Sequence, residues 1–149
     1  MTLELWKTHG WLQDHKTSQG ELSNLLLLVN RDLQDSIKKE ISLDWRFNIA
    51  YNAGLQLATA ALYSAGYRTG RGGSKHYRVI QAIPLVLGEG YSVYRDFFEN
   101  CRKKRNISEY DMAGTVSEKE LKELLDVVEE FKTKVEKWLR NNNPDMSIG

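Results

Sequence analysis

Apolar residues recur at helical spacing along most of the chain. Leu22, Leu25, Leu26, Val29, Leu33 and Ile37 fall on one face of a first helix expected over residues 18–40. Ser18 and Glu21 stand at capping-box spacing just before this run, where each side chain can satisfy an orphan backbone donor. Residues 43–66 predict a second helix, rich in alanine at 50, 53, 58, 60, 61 and 65, which favours helix and lets neighbours approach closely. Gly66 is its expected stop. A third helix is expected over 74–87, with Val79, Ile80, Ile83 and Leu87 on one side and a kink or early end at Pro84. A fourth, over 91–106, carries an inward stripe of Tyr91, Tyr94, Phe98 and Cys101. The last, over 117–140, opens on another capping-box pair, Ser117 and Glu120. It continues with an apolar face of Leu121, Leu124, Leu125, Val128, Phe131, Val135, Trp138 and Leu139. Glu118–Lys122, Glu130–Lys134 and Glu136–Arg140 are expected as i,i+4 pairs on its solvent face.

No alternating run predicts a strand, and no internal repeat marks a second domain. The fold class expected is therefore all-α: an up-and-down helical bundle of four to five main helices over residues 18–140. Residues 1–17, with Trp6, Trp11 and Leu12, are expected to form an arm or short helix. Residues 141–149 should fray as a flexible tail.

A chain of 149 residues can bury one core without disulfides or metals. A net charge of +1 gives no overall pull on a polyanion, so any anion site must arise from local clustering. The single cysteine, Cys101, cannot form an internal disulfide, and its place on an apolar stripe points to a buried, inert thiol. The first residues lack the basic start and apolar run of a signal peptide. No apolar stretch approaches the roughly 18 residues of a membrane span. A cytoplasmic protein without membrane contact is the resulting expectation. His9, His15 and His76 lie far apart with no second cysteine, so neither a metal site nor a cofactor is expected.

The glycine-rich stretch Gly66–Ser74 fails as a phosphate loop. Gly73-Ser74-Lys75 has the wrong order, and a helix precedes it where a strand is needed. It reads as a flexible connector. Arg68, Arg71, Lys75, His76 and Arg78 nevertheless crowd around it, enough charge to touch an anion.

Two features carry candidate chemistry. The second helix has a polar stripe, Asn48, Asn52, Gln56 and Thr59, flanked by Arg46 and Tyr51. Amides inside a bundle must find partners. The stripe is either a hydrogen-bonded seam against a helix or dimer mate, or a ligand-facing surface. The second feature is the end of the fourth helix, Arg102-Lys103-Lys104-Arg105-Asn106. Arg105 follows Phe98 and Cys101 at helical spacing and so projects from the apolar stripe, whereas Lys103 and Lys104 are expected in solvent. An inward arginine needs a carboxylate or a phosphate. Glu109, Asp111 or a more distant acid would make it structural, and a phosphate would make it functional.

The Arg-Asn-x-x-x-Tyr pattern of Arg105, Asn106 and Tyr110 follows a helix with an aromatic stripe and precedes a long amphipathic helix. This arrangement resembles the HEPN superfamily of small α-helical bundles over roughly residues 20–140, most of the chain. The start of the second helix, Asp44-Trp45-Arg46-Phe47-Asn48-Ile49-Ala50-Tyr51-Asn52, resembles bacterial members of it. HEPN ribonucleases carry an Arg followed a few residues later by a His. The resemblance implies a homodimer whose two motifs face one another, and metal-independent attack of an RNA 2′-hydroxyl on the adjacent phosphate. It implies an RNA- or nucleotide-phosphate site of Arg105, Asn106 and Tyr110, with Arg102 at the rim; if the protein is catalytic, Arg105 and Tyr110 carry the reaction. Many HEPN proteins pair with a nucleotidyltransferase in toxin–antitoxin modules, which makes such a partner an expectation of the resemblance. Tyr110 stands where the family His would be. With an ordinary pKa near ~10 a tyrosine is a poor base, although it can still donate to a phosphate. His76 is a candidate spatial substitute, but nothing in the sequence places it near Arg105. Two rival readings remain: a non-catalytic dimeric interaction module in which the arginines are structural, and a small-molecule pocket lined by Asn48, Tyr51 and Asn52.

Overall fold

The computed structural model describes residues 2–71, 74–110 and 115–142, with the side chains of 106–110 left aside. Six α-helices run through the described residues: α1 (Leu3–Thr8), α2 (Gln19–Ser36), α3 (Leu43–Ser64), α4 (Lys75–Leu87), α5 (Ser92–Tyr110) and α6 (Glu118–Asn142). The fold is an all-α helical bundle. No helix among the described residues is long and apolar enough to cross a membrane.

Local signals set the helix ends. The Ser18 Oγ accepts from Glu21 N–H at 3.1 Å. The second capping box is reciprocal: Glu120 N–H donates to Ser117 Oγ, and Ser117 N–H to Glu120 Oε1, both at 3.1 Å. Gly66 ends α3 with φ +96°, a conformation that favours glycine, and its N–H reaches the Tyr63 carbonyl at 2.9 Å. Pro84 does not end α4 early; the helix runs on to Leu87, and Gly88 N–H returns to the Pro84 carbonyl at 2.9 Å.

Helix α3 is the hub, touching α2, α4, α5 and α6. Its small residues make this feasible: Ala50, Ala53, Ala58, Ala60 and Ala61 are all buried. At Gly54 an added Cβ would lie 2.6 Å from Phe98 Cε1, so glycine is what lets α5 come this close. Phe98 then packs edge-on against Phe131 of α6, 5.2 Å between centroids. The α6 stripe of Leu121, Leu124, Val128, Phe131, Val135 and Leu139 is fully inside. Ile37, expected on the first helix's apolar face, lies beyond the end of α2 and is exposed. Among the described residues the i,i+4 ion pairs on α6 are Lys122–Asp126 at 2.9 Å and Lys132–Glu136 at 3.9 Å rather than the three expected. Glu130 instead accepts from the Tyr94 hydroxyl, and Lys134 lies over the Tyr91 and Tyr94 rings.

The absence of strands needs correction. Leu12–Asp14 (β1) and Tyr67–Thr69 (β2) form a small antiparallel ladder, with Leu12 opposite Thr69 and Asp14 opposite Tyr67. Three residues are too few to show alternation, so only the pairing across the fold reveals them. The ladder occupies part of the expected flexible connector; Gly72 and Gly73 of that connector lie outside the described residues. Gly70 N–H donates to the Trp11 carbonyl at 2.9 Å. A Cβ on Gly70 would meet the Gly10 carbonyl oxygen at 2.2 Å, so the two segments meet backbone to backbone.

The N-terminal segment is thus α1 plus one strand, and it docks on the start of α4. Trp6 and Trp11 meet edge-on at 5.7 Å, and the Arg78 guanidinium lies 3.8 Å from the Trp11 ring centroid. This link also sets direction. Arg46 reaching Ser36, and Asn52 reaching Asp32, make α2 and α3 antiparallel. Gln81–Glu99 and Tyr77–Arg102 do the same for α4 and α5. Between α3 and α4 the chain returns through β2, so that His76, in the first turn of α4, lies beside Tyr51 in the first half of α3.

Candidate functional site

That return places residues from four helices around one cavity of about 470 Å³. Helix α2 contributes Arg31, Asp32 and Asp35. Helix α3 contributes Trp45, Asn48, Ile49, Tyr51 and Asn52, α4 contributes His76, and α5 contributes Arg105. The Arg105 guanidinium lies 5.7 Å from the Tyr51 ring centroid, and the His76 and Tyr51 centroids are 6.0 Å apart. The two sequence features that carried candidate chemistry, the polar stripe and the inward arginine, therefore share one space.

Tyr51 is 1% exposed and its hydroxyl, though buried, has no hydrogen-bond partner among the described residues. Burial pushes its pKa well above the usual tyrosine value, against the pull of the Arg105 and Arg102 guanidiniums. It stays protonated and can donate. Asn48 Oδ1 is likewise buried without a partner. Orphan buried polar atoms are uncommon in folded proteins, and each asks for an explanation. Burial, reinforced by the nearby Arg105 and Arg102 guanidiniums, holds the His76 pKa below the ordinary histidine value. His76 is therefore uncharged at neutral pH and available as a proton acceptor.

The remaining stripe residues have structural ties. Asn52 Nδ2 donates to Asp32 Oδ2 at 3.2 Å, and the Thr59 hydroxyl donates back to the Leu55 carbonyl at 2.8 Å. Gln56 Oε1 is buried without a partner, one turn beyond the cavity. Arg46 points away from the site: its Nε donates to the Ser36 carbonyl at 2.7 Å, capping the end of α2. Arg102 is tied to the fold as well. Its Nη2 meets Glu99 Oε1 at 2.6 Å one turn back, and its guanidinium lies 5.5 Å from the Tyr77 ring centroid. Lys103 is exposed, but Lys104 is not the solvent residue expected. Its Nζ donates to the Thr115 carbonyl at 2.9 Å and lies 3.1 Å from Glu120 Oε2, tying α5 to the start of α6. Helix α5 runs through Asn106 and Tyr110, whose side chains lie outside those described, as does Asp111; the side chain of Glu109 is also outside them.

The sequence offers His76 as a basic residue by a loop and as a spatial substitute for the family His, but only the fold brings it to the cavity of Arg105. The acidic residues of α2 carried no expectation. Asp32, 4% exposed, sits three residues after Val29 and directly before Leu33. A carboxylate inside an apolar stripe is a legible signal that the reading of α2 passed over. It accepts from Arg31 Nη2 at 2.9 Å as well as from Asn52. Among the described residues no group of three or more His, Cys, Asp or Glu is arranged to hold a metal ion. The Cys101 thiol is buried and pushed up to about 12, chiefly by burial and then by Glu123 and Glu120, so it is no nucleophile.

No protein-family model, curated protein or solved structure matches the chain.

Proposed function

We propose that the protein binds the phosphate of a nucleotide, free or within RNA, in the cavity shared by Arg105, His76 and Tyr51. One observation carries the proposal: an arginine, an imidazole and an unpartnered buried hydroxyl, drawn from three helices, line the same 470 Å³ space. A guanidinium matches phosphate oxygens in a planar fork, and a buried tyrosine O–H with nothing to donate to is a ready second donor. The HEPN resemblance reaches the same cavity through Arg105; by that resemblance Asn106 and Tyr110 belong to the same site and a second copy of the chain faces it. Arg102 stands at the rim of that set, its guanidinium also paired with Glu99.

Metal-independent RNA cleavage is the second reading, and His76 favours it. An imidazole held uncharged can take the proton of a 2′-hydroxyl as it attacks the adjacent phosphate. Arg105 would stabilise the charge that develops on the phosphoryl oxygens. His76 thus offers the base that Tyr110 cannot. The test incubates the protein with structured and unstructured RNA in EDTA, and measures RNA and nucleotide binding by fluorescence anisotropy. Binding that drops sharply in Arg105→Ala supports the proposal. Cleavage that disappears in His76→Ala supports the second reading, and binding without cleavage removes it. Absence of any binding refutes both and leaves the interaction-module reading.

A further inference from the structure

The cavity has two unlike walls. On the α4 and α5 side stand His76 and Arg105; on the α2 side stand the carboxylates of Asp32 and Asp35, with the Asn48 amide on the adjoining turn of α3. Asp32 Oδ1 already accepts twice from Arg31, through Nε and Nη2, and Oδ2 accepts once from Asn52. A carboxylate oxygen can accept twice, so Oδ2 keeps room for one more donor. Asn48 Oδ1 is a buried acceptor with no donor of its own. Arg31 pairs with Asp32 on this wall and Lys38 with Asp35 at 3.0 Å, so its charges are largely balanced, and the anionic end of a ligand is assigned to the side where Arg105, His76 and Tyr51 stand. What suits the other end is a group rich in N–H donors. Trp45 lies at this end too, lining the cavity while remaining 62% exposed. A large aromatic ring left in water beside unsatisfied acceptors is well placed to stack on a planar ring.

We infer that this acceptor wall reads the base of the bound nucleotide and selects guanine. The inference rests on the nucleotide-phosphate reading of the same cavity. Guanine presents two donors side by side, the ring N1–H and the exocyclic N2 amine, which match Asn48 Oδ1 and the carboxylates of α2. Adenine presents a ring acceptor at N1, which would face those oxygens without a proton between them. Leaving buried acceptors unpaired is what makes such discrimination steep. Trp45 covers the base, and the phosphate lies between Arg105 and His76. The four-helix origin of the site thereby gains a role: α2 and the start of α3 carry specificity, and α4 and α5 hold the anion.

Isothermal titration calorimetry of the full chain with GMP, AMP, ribose 5-phosphate and inorganic phosphate tests this. GMP should bind at least tenfold more tightly than AMP or ribose 5-phosphate. Asn48→Leu removes an acceptor that has no partner in the fold, so it should fold normally and bring GMP down to the level of AMP. Trp45→Ala, at an exposed position, should weaken GMP and AMP while sparing ribose 5-phosphate and inorganic phosphate. Equal binding of GMP, AMP and ribose 5-phosphate overturns the base reading and leaves the phosphate reading intact. A preference for AMP, or a GMP preference that survives Asn48→Leu, also overturns it. Failure of all four ligands to bind overturns the phosphate reading with it.

Discussion

Gly54→Ala pits two opposing effects against one another at a single atom. In a helix interior alanine is favoured over glycine by about 1 kcal/mol. At Gly54 the new methyl would sit 2.6 Å from Phe98 Cε1, 2.9 Å from Cζ and 3.3 Å from Cδ1. Real Cβ atoms do not approach so closely, so α5 or the ring must shift. The ring has little freedom, because Phe98 is 2% exposed and packed edge-on against both Phe97 and Phe131. Overpacking of this kind costs about 1–3 kcal/mol, and contact with three ring atoms puts it at the upper end. The clash should therefore outweigh propensity and leave Gly54→Ala about 1–2 kcal/mol less stable than the parent. For a domain of this length that lowers Tm by roughly 2–8 °C. The effect should reach the cavity, because Tyr51 lies one turn before Gly54 and Arg105 two turns after Phe98 on the facing helix. Urea and thermal unfolding followed by circular dichroism measure the change. Gly20→Ala is the control: its Cβ would meet only Ser18 Oγ at 3.9 Å, so it should not destabilise. Phe98→Leu in the Gly54→Ala background should recover part of the loss, giving a favourable coupling in the double-mutant cycle. If Gly54→Ala is as stable as the parent, or more so, the close approach of α3 and α5 is not what makes glycine necessary there.

Tyr51→Phe removes a buried hydroxyl without a partner, so stability should hold or rise while phosphate affinity falls; chemical denaturation and calorimetry on the same protein separate the two. Arg46→Met deletes the charged donor at the Ser36 carbonyl and should cost about 1.5–3 kcal/mol of stability. Nucleotide binding by Arg46→Met, measured by anisotropy, should be unchanged, since Arg46 lies off the cavity. Folding lowers the His76 pKa, so below the ordinary value of ~6.5 the unfolded chain binds the extra proton more readily. The His76 contribution is therefore present at neutral pH and is lost as pH falls through that region. His76→Gln should accordingly show a shallower acid-side decline in urea midpoint than the parent. Cys101 should resist iodoacetamide at pH 8 in the folded protein and react on unfolding, read by mass spectrometry, because its thiol is buried and held as the thiol.

Much of the bundle was written locally. The spacing of Leu121, Leu124, Val128, Phe131, Val135 and Leu139 is enough to define α6 and its inner face, because a helix repeats every 3.6 residues whatever it packs against. The two serine caps and Gly66 mark ends for the same reason: their bonds reach only three or four residues. Phasing along a single helix also put Arg105 on the side that lines the cavity. What depended on distant segments was not legible. β1 and β2 are three-residue strands paired between residue 12 and residue 69, and neither has a local reason to be a strand. Lys104 looked like a solvent residue until α6 brought Glu120 within 3.1 Å. His76 joined Arg105 only because the chain doubles back through β2 and starts α4 beside the first half of α3. The sequence by itself determined the central turns of the long helices and most of their apolar faces, since those follow from short-range periodicity and capping. Only the tertiary structure decided which helix ends meet, and hence that a guanidinium, an imidazole and an unpaired hydroxyl share a cavity, because that depends on packing and pairing between residues far apart in the chain.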